Sequence, residues 1–301
     1  MSQAIEKKTF LSRFRSEFST VLRTSPVFRV GFVLLIIIFS LAIFEPAIND
    51  FRLGGHRSTE FGVYDKLLPF SIEHPFGTDH FGRDSLAIQI TGLKFSLMIG
   101  LTAGGVATLI AVFMAVVAGF VGGKVDAVLN SMTNAVLVIP TLPILIAMAA
   151  YMRMNLWLIS FTLAIFSWPW AARTIRAQIL SLKEMGYVEL AEMTGLNKFE
   201  IMFTEILPNL IPFIGVGFSY ATIGAILAET GLRVIGLGPA ELPSLGMLLN
   251  WAMTFGVLAQ GYHILVIGPA ALLILIFISF NLVNTGVEEV FNPRLKKITG
   301  I

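Results

Sequence analysis

Residues 95–121 read FSLMIGLTAGGVATLIAVFMAVVAGFV, without a single Asp, Glu, Lys or Arg. A helix rises about 1.5 Å per residue, so a run of about 20 apolar residues crosses a hydrocarbon core of roughly 30 Å. A helix on the surface of a soluble domain keeps one polar face, and this run has none to offer. It reads as a membrane span, and the rest of the chain is ordered around it.

Five other runs share its character, at 27–44, 127–150, 156–172, 210–229 and 264–283. All six together contain two charged residues, Arg29 and Glu229, each near the end of its run. Of the 301 residues, 55% are hydrophobic and 13% charged, against about 45–50% and about 25% in soluble domains; the mean hydropathy is +0.81. The fold class expected is an all-α membrane protein with six transmembrane helices. Pro140, Pro143, Pro169 and Pro212 should kink their spans, because a membrane bundle can re-satisfy the backbone groups they free. Gly100 and Gly104 form a GxxxG pair that lets helices approach closely. The absence of cysteine excludes disulfides, thiolate metal sites and cysteine nucleophiles, and a net charge of +2 is too small for a nucleic-acid footprint.

Orientation follows from Lys and Arg. With the N-terminus inside, 14 of the 21 fall on inner segments and 7 on outer loops, which places both termini in the cytoplasm. The chain then divides into a cytoplasmic arm at 1–26, a first span at 27–44, an extracytoplasmic loop at 45–94, a five-span core at 95–290 and a cytoplasmic tail at 291–301. The arm carries Lys7, Lys8, Arg13, Arg15 and Arg23 and is not a cleavable signal. Phe10, Leu11, Phe14, Phe18, Val21 and Leu22 share one helical stripe, as in an amphipathic helix lying on the anionic inner leaflet of the bilayer; the alternative is that its charges simply orient the first span.

The inner loop at 173–209 holds four basic and five acidic residues. It reads as two short helices: favourable helix formers run from Arg173 to Thr194, Gly195 suits a left-handed C′ position, and Asn197 with Glu200 resembles a capping box opening the second. Pro208 and Pro212 mark the entry to the next span.

Within this loop, Glu189-Leu190-Ala191-Glu192-Met193-Thr194-Gly195, followed by Leu207-Pro208, resembles the EAA motif of ABC importer permeases, in the oligopeptide/dipeptide branch. Leu190 replaces the usual second-position alanine, and Glu205 stands where many relatives have isoleucine. Further matches are His74-Pro75-Phe76-Gly77-Thr78-Asp79 with Phe81-Gly82-Arg83-Asp84, the segment from Ala118 to Asp126, Ile235-Gly236-Leu237-Gly238, and Asn292-Pro293-Arg294-Leu295. The resemblance is to the C-type subunit of that branch and covers roughly residues 27–297.

The resemblance implies one half of a permease heterodimer in a prokaryotic inner membrane, paired with a second homologous permease subunit, two cytoplasmic ATPase subunits and an extracytoplasmic solute-binding protein. The cargo expected is a short peptide, with oligosaccharides or nickel as alternatives. A coupling helix in the loop would seat in the ATPase, with Glu189, Ala191, Glu192, Gly195, Leu207 and Pro208 as its residues. The chain is expected to be no enzyme and to bind no cofactor: it has no GxxxxGK[ST] phosphate loop, so ATP and Mg belong to the partner subunits. A secondary transporter or channel is the rival class, but such carriers place ionisable groups near mid-membrane, where these spans have none. An intramembrane enzyme would need a mid-span nucleophile and base, which are also missing.

Outside the loop, Glu229 and Trp168 are candidates for the substrate pathway. The competing readings are an interfacial carboxylate for Glu229 and, for Trp168-Pro169-Trp170, an interface belt beside a kink. Asp79, Arg83 and Asp84 read as a structural outer-loop motif, with Asp79 and Arg83 as a local i,i+4 pair. Lys94 reads as snorkelling to the headgroups, and Asn130, Asn134, Asn281 and Asn284 as interhelical hydrogen-bond partners. The four histidines lack metal-ligand spacing, so no metal site is expected.

Overall fold

The computed structural model describes residues 18–239 and 241–291. Most of the amphipathic stripe of the arm and the motif at 292–295 lie outside the described residues. Among the described residues, following a helical stretch at 18–24, the architecture is carried by α1 (Pro26–Ile43), α2 (Glu45–Leu53), α3 (Ser85–Val121), α4 (Gly123–Val138), α5 (Thr141–Tyr151), α6 (Leu156–Lys183), α7 (Gly186–Met193), α8 (Lys198–Val234), α9 (Leu245–Thr254) and α10 (Ile264–Phe291). The described residues contain no strand beyond an isolated antiparallel bridge between Thr78 and Asp84.

Local sequence sets where these helices begin. Ser25 accepts the Phe28 N–H at 3.1 Å, with Pro26 in the first turn of α1, and its hydroxyl donates to Glu289 near the end of α10 at 2.8 Å. Asp84 caps α3 and Asn155 caps α6, each accepting an N–H at 2.8 Å. Such caps satisfy amide donors that a helix cannot bond internally.

The packing is organised by small residues on α3. Ala103, Ala107, Ala111 and Ala115 recur every fourth residue and are buried, so they form one stripe on the helix. Trp168, Ile175 and Ile179 of α6 pack into the same cluster as the last three. Gly100 and Gly104 meet α8: a Cβ on Gly100 would collide with Ile226, and one on Gly104 would lie 2.9 Å from the Thr222 backbone nitrogen. Lipid tails are as apolar as leucine, so association within the bilayer rests on such close packing rather than on escape from water. Between α1 and α10, Gly31 and Gly286 make a similar approach to Leu282 and Phe28.

Among the described residues four helices, α1, α3, α8 and α10, are long and apolar enough to cross a membrane. The pair α4 and α5, bent by 69° where Pro140 interrupts the chain, makes a fifth if it is one span. The 28 residues of α6 extend beyond the apolar run at 156–172 to include Arg173, Arg176 and Lys183.

Several expected boundaries move. The helix α3 begins at Ser85, so the long segment between α1 and α3 comprises α2 and a loop ending at Asp84. The inner loop shrinks as well, because α6 continues to Lys183 and the next long helix starts at Lys198. Pro208 and Pro212 do not separate a loop from a span. They lie inside α8, where a π turn at Met202–Ile206 and a 3-10 turn at Leu207–Leu210 absorb the lost amides and the ring clashes. The Lys94 ammonium pairs with Glu45 at 2.8 Å.

Candidate functional site

The end of the molecule where α6 meets α8 is shaped by α7. Val188 and Ala191 are buried in the cluster formed with Ile179, Ile201 and Met202, while Glu189, Leu190, Glu192 and Met193 point outward. Leu190 is 62% exposed and Met193 75%, an apolar edge on the surface of the described residues. The helix ends in a Schellman turn: Leu196 N–H donates to Ala191 C=O at 3.2 Å, Gly195 N–H to Glu192 C=O at 3.0 Å, and Gly195 has φ +85°. Only glycine adopts that conformation without penalty. A Cβ at Gly195 would have nothing within 4 Å, so its outer side is open space. The expected capping box is present, with Asn197 Oδ1 accepting the Glu200 N–H at 2.9 Å and Glu200 Oε2 accepting the Asn197 N–H at 2.8 Å.

The six coupling candidates therefore sort into two groups. Glu189, Glu192 and Gly195 lie on the open surface; Ala191 and Pro208 are buried and Leu207 half-buried. Ala191 faces inward because Val188 and Ala191, three apart, share the stripe that α7 buries. Pro208 and Leu207 belong to the irregular turn of α8 behind it. Sequence reasoning passed over the two most prominent residues of the surface, Leu190 and Met193; the signal was Leu190 itself, noted only as a departure from an alanine.

Polar contacts fasten this end to the spans. Arg176 of α6 makes a two-pronged ion pair with Asp126 of α4, Arg173 donates to Asn134 Oδ1 at 2.6 Å, and Lys183 donates to the Gly119 carbonyl at 2.8 Å. These contacts tie α6 to the end of α3 at Gly119 and to α4 at Asp126 and Asn134. Asn134 thus has an interhelical partner, whereas Asn281 bonds the Phe277 carbonyl of its own helix and the amide of buried Asn284 has no hydrogen-bond partner among the described residues.

At the other end, Asp84 links three elements, accepting from Arg52 at 3.0 Å and from the capped Ala87 N–H, with His74 Nδ1 2.8 Å away. Asp79 accepts the Phe81 and Arg83 N–H groups and the Arg83 guanidinium, which is stacked among Phe61, Phe81 and Trp251, 4.4–5.3 Å from their ring centres. His80 lies over Phe255 with ring centres 3.7 Å apart and no hydrogen-bond partner on either nitrogen. Burial, aided by the charges of Arg83 and Lys66 and opposed by Asp79, holds its pKa down at about 4.

Both pathway candidates are buried among the described residues. Glu229 is fully buried and paired with Arg233, also fully buried, at 3.0 Å. Trp168 is 6% exposed, packed with the alanine stripe of α3, while Trp170 faces outward against Tyr220. Among the described residues no group of three or more His, Asp or Glu could hold a metal ion.

Comparison with known proteins adds to this geometry. The sequence model of a family described as binding-protein-dependent transport system inner membrane component matches residues 107–297. The chain is 31% identical to the oligopeptide transport system permease protein OppC of Salmonella typhimurium over 88% of this chain and 87% of that protein. It is 29% identical to OppC of Bacillus subtilis, over 91% and 88%. With the dipeptide transport system permease protein DppC of Bacillus subtilis the identity is 28%, over 92% and 84%.

Proposed function

The chain belongs to the family of binding-protein-dependent transport system inner membrane components, and from that premise we propose that it forms one half of the translocation path of an ATP-driven importer of short peptides. It pairs with a second, homologous permease subunit and crosses the cell membrane six times, with both termini in the cytoplasm. An extracytoplasmic binding protein delivers the peptide, and two cytoplasmic ATPase subunits bind ATP and Mg and carry out the hydrolysis. This chain contributes no catalytic residue and holds no cofactor.

One observation carries the reading at the level of residues. The short helix α7 buries Val188 and Ala191 against the spans and presents Glu189, Leu190, Glu192 and Met193 outward. An exposed apolar edge flanked by carboxylates suits an apolar pocket with a basic rim on another protein. Movement of an ATPase holding that edge would pass through α6 and α8, which flank α7 in sequence, and tilt the spans.

The test uses the whole complex reconstituted in proteoliposomes. Leu190→Glu should leave the permease pair folded but abolish retention of the ATPases on affinity purification, together with peptide-stimulated ATP hydrolysis. Full retention and full stimulation with Leu190→Glu would overturn the docking assignment. ATP-independent peptide uptake by the permease pair would overturn the importer reading itself.

A further inference from the structure

At the end of the molecule opposite α7, two loops form a cleft of about 530 Å³, lined by Ala149, Met152, Arg153, Met154, Gly238, Pro239 and Glu241. Two other grooves in the described residues are lined almost wholly by apolar side chains, one beside Phe113 and Phe203 and one beside Phe28 and Phe280. This cleft instead sets an arginine and a glutamate around one space. Arg153 and Glu241 are both exposed, and among the described residues neither makes a hydrogen bond or an ion pair within 4.0 Å, with each other or with anything else.

Described residues on both rims are anchored to the helices. Met154 and Leu242 reach into one apolar cluster with Leu145, Leu156 and Leu232, and Asn155 caps α6 directly after Met154. On the opposite rim Arg233 donates to the Pro239 carbonyl, and Gly238, at φ +107°, lies against the Arg233 guanidinium, where a Cβ would sit 3.3 Å from three of its atoms. The buried Glu229–Arg233 pair thus holds the loop that carries Glu241.

A short peptide at neutral pH is a zwitterion, with an ammonium at one end and a carboxylate at the other. We infer that this cleft is an entry subsite of the translocation path that holds such a peptide by its termini, Arg153 taking the carboxylate and Glu241 the ammonium. The inference rests on the reading of the chain as half of a peptide permease. Arginine suits the carboxylate because its fork of N–H donors matches two oxygens at once. Both charges remain in contact with water, so the hold is weak and reversible, as a path that must release its cargo requires.

The cleft also stands in a mechanical relation to α7. Arg153 lies just ahead of α6, which runs for 28 residues, roughly 42 Å, to the start of α7; α8 returns over 37 residues, roughly 55 Å, from the end of α7 towards Glu241. A displacement of α7 that tilts α6 against α8 therefore changes the separation of the two charges.

The experiment is uptake of trialanine by proteoliposomes holding the complete complex with its binding protein, for wild type, Arg153→Glu, Glu241→Arg and the double exchange. Each single variant should retain the wild-type melting temperature and raise the half-saturating concentration of trialanine roughly fivefold or more, and the double exchange should recover most of that loss by binding the peptide in reverse. Single variants that match the wild type, or a double exchange no better than the singles, would overturn the subsite while leaving the permease reading intact. A wild-type complex that moves no trialanine with ATP would overturn both.

Discussion

Arg233 Nε donates to Glu229 Oε1 across 3.0 Å, one turn apart on α8, and neither side chain has any exposed surface. A buried charge stripped of its partner is costly, about 3–5 kcal/mol, whereas an apolar pair of similar volume in place of both is often neutral or better. Arg233→Met alone, or Glu229→Leu alone, should therefore lower the melting temperature of the purified permease strongly. The double variant should recover much of the loss, and a double variant as unstable as the sum of the singles would contradict the pairing.

Gly195 should tolerate substitution in order of left-handed propensity. Asn enters the αL region more readily than other non-glycine residues, while most pay about 1–2 kcal/mol. Because the space outside Gly195 is open, Gly195→Asn should keep most of the peptide-stimulated ATP hydrolysis and Gly195→Val should lose it, with the permease pair still assembled in both. Equal activities would remove the turn from the coupling assignment.

Two adjacent glycines on α3 provide an internal control. Gly104→Ala drives a methyl group against the Thr222 backbone, an overpacking that costs about 1–3 kcal/mol. Gly105→Ala meets nothing within 4 Å and gains helix propensity of up to about 1 kcal/mol. Thermal unfolding of the two variants should shift in opposite directions.

The segment ahead of α3 should loosen in acid. His80 is held neutral in the folded chain, its pKa lowered from 6.5 to about 4, so the unfolded chain binds the extra proton first. Its contribution is fully present above pH 6.5 and falls as the pH drops from 6.5 towards 4. Limited proteolysis of residues 54–84 should accelerate over that window in the wild type, and much less in His80→Phe, which keeps the stack on Phe255 without a titrating ring. Identical pH profiles would show that another group governs this loop.

The inner loop divides the legible from the hidden. Asn197 and Glu200 meet as their spacing suggests, and Gly195 closes α7 in the left-handed conformation, because capping groups reach only three or four residues along the chain. The continuation of α8 through Pro208 and Pro212 is not legible in the same way. A proline ends a helix or is absorbed in one according to whether neighbouring helices hold the chain in line, and those neighbours are remote in sequence. The same holds for Lys94, whose partner Glu45 lies 49 residues away.

By itself the sequence determined the class of protein, the apolar runs that make the helices, the caps at their ends and the motif of the inner loop, since each depends on composition or on neighbours within about one turn. The tertiary structure alone decided which side of α7 faces out, that Glu229 is spent on Arg233 and Trp168 on the alanine stripe, and that Arg153 and Glu241 share a cleft. Those outcomes depend on which helices touch. In a bundle packed through small residues, contact is set by the shape of surfaces brought together from distant parts of the chain, for which no local pattern stands in.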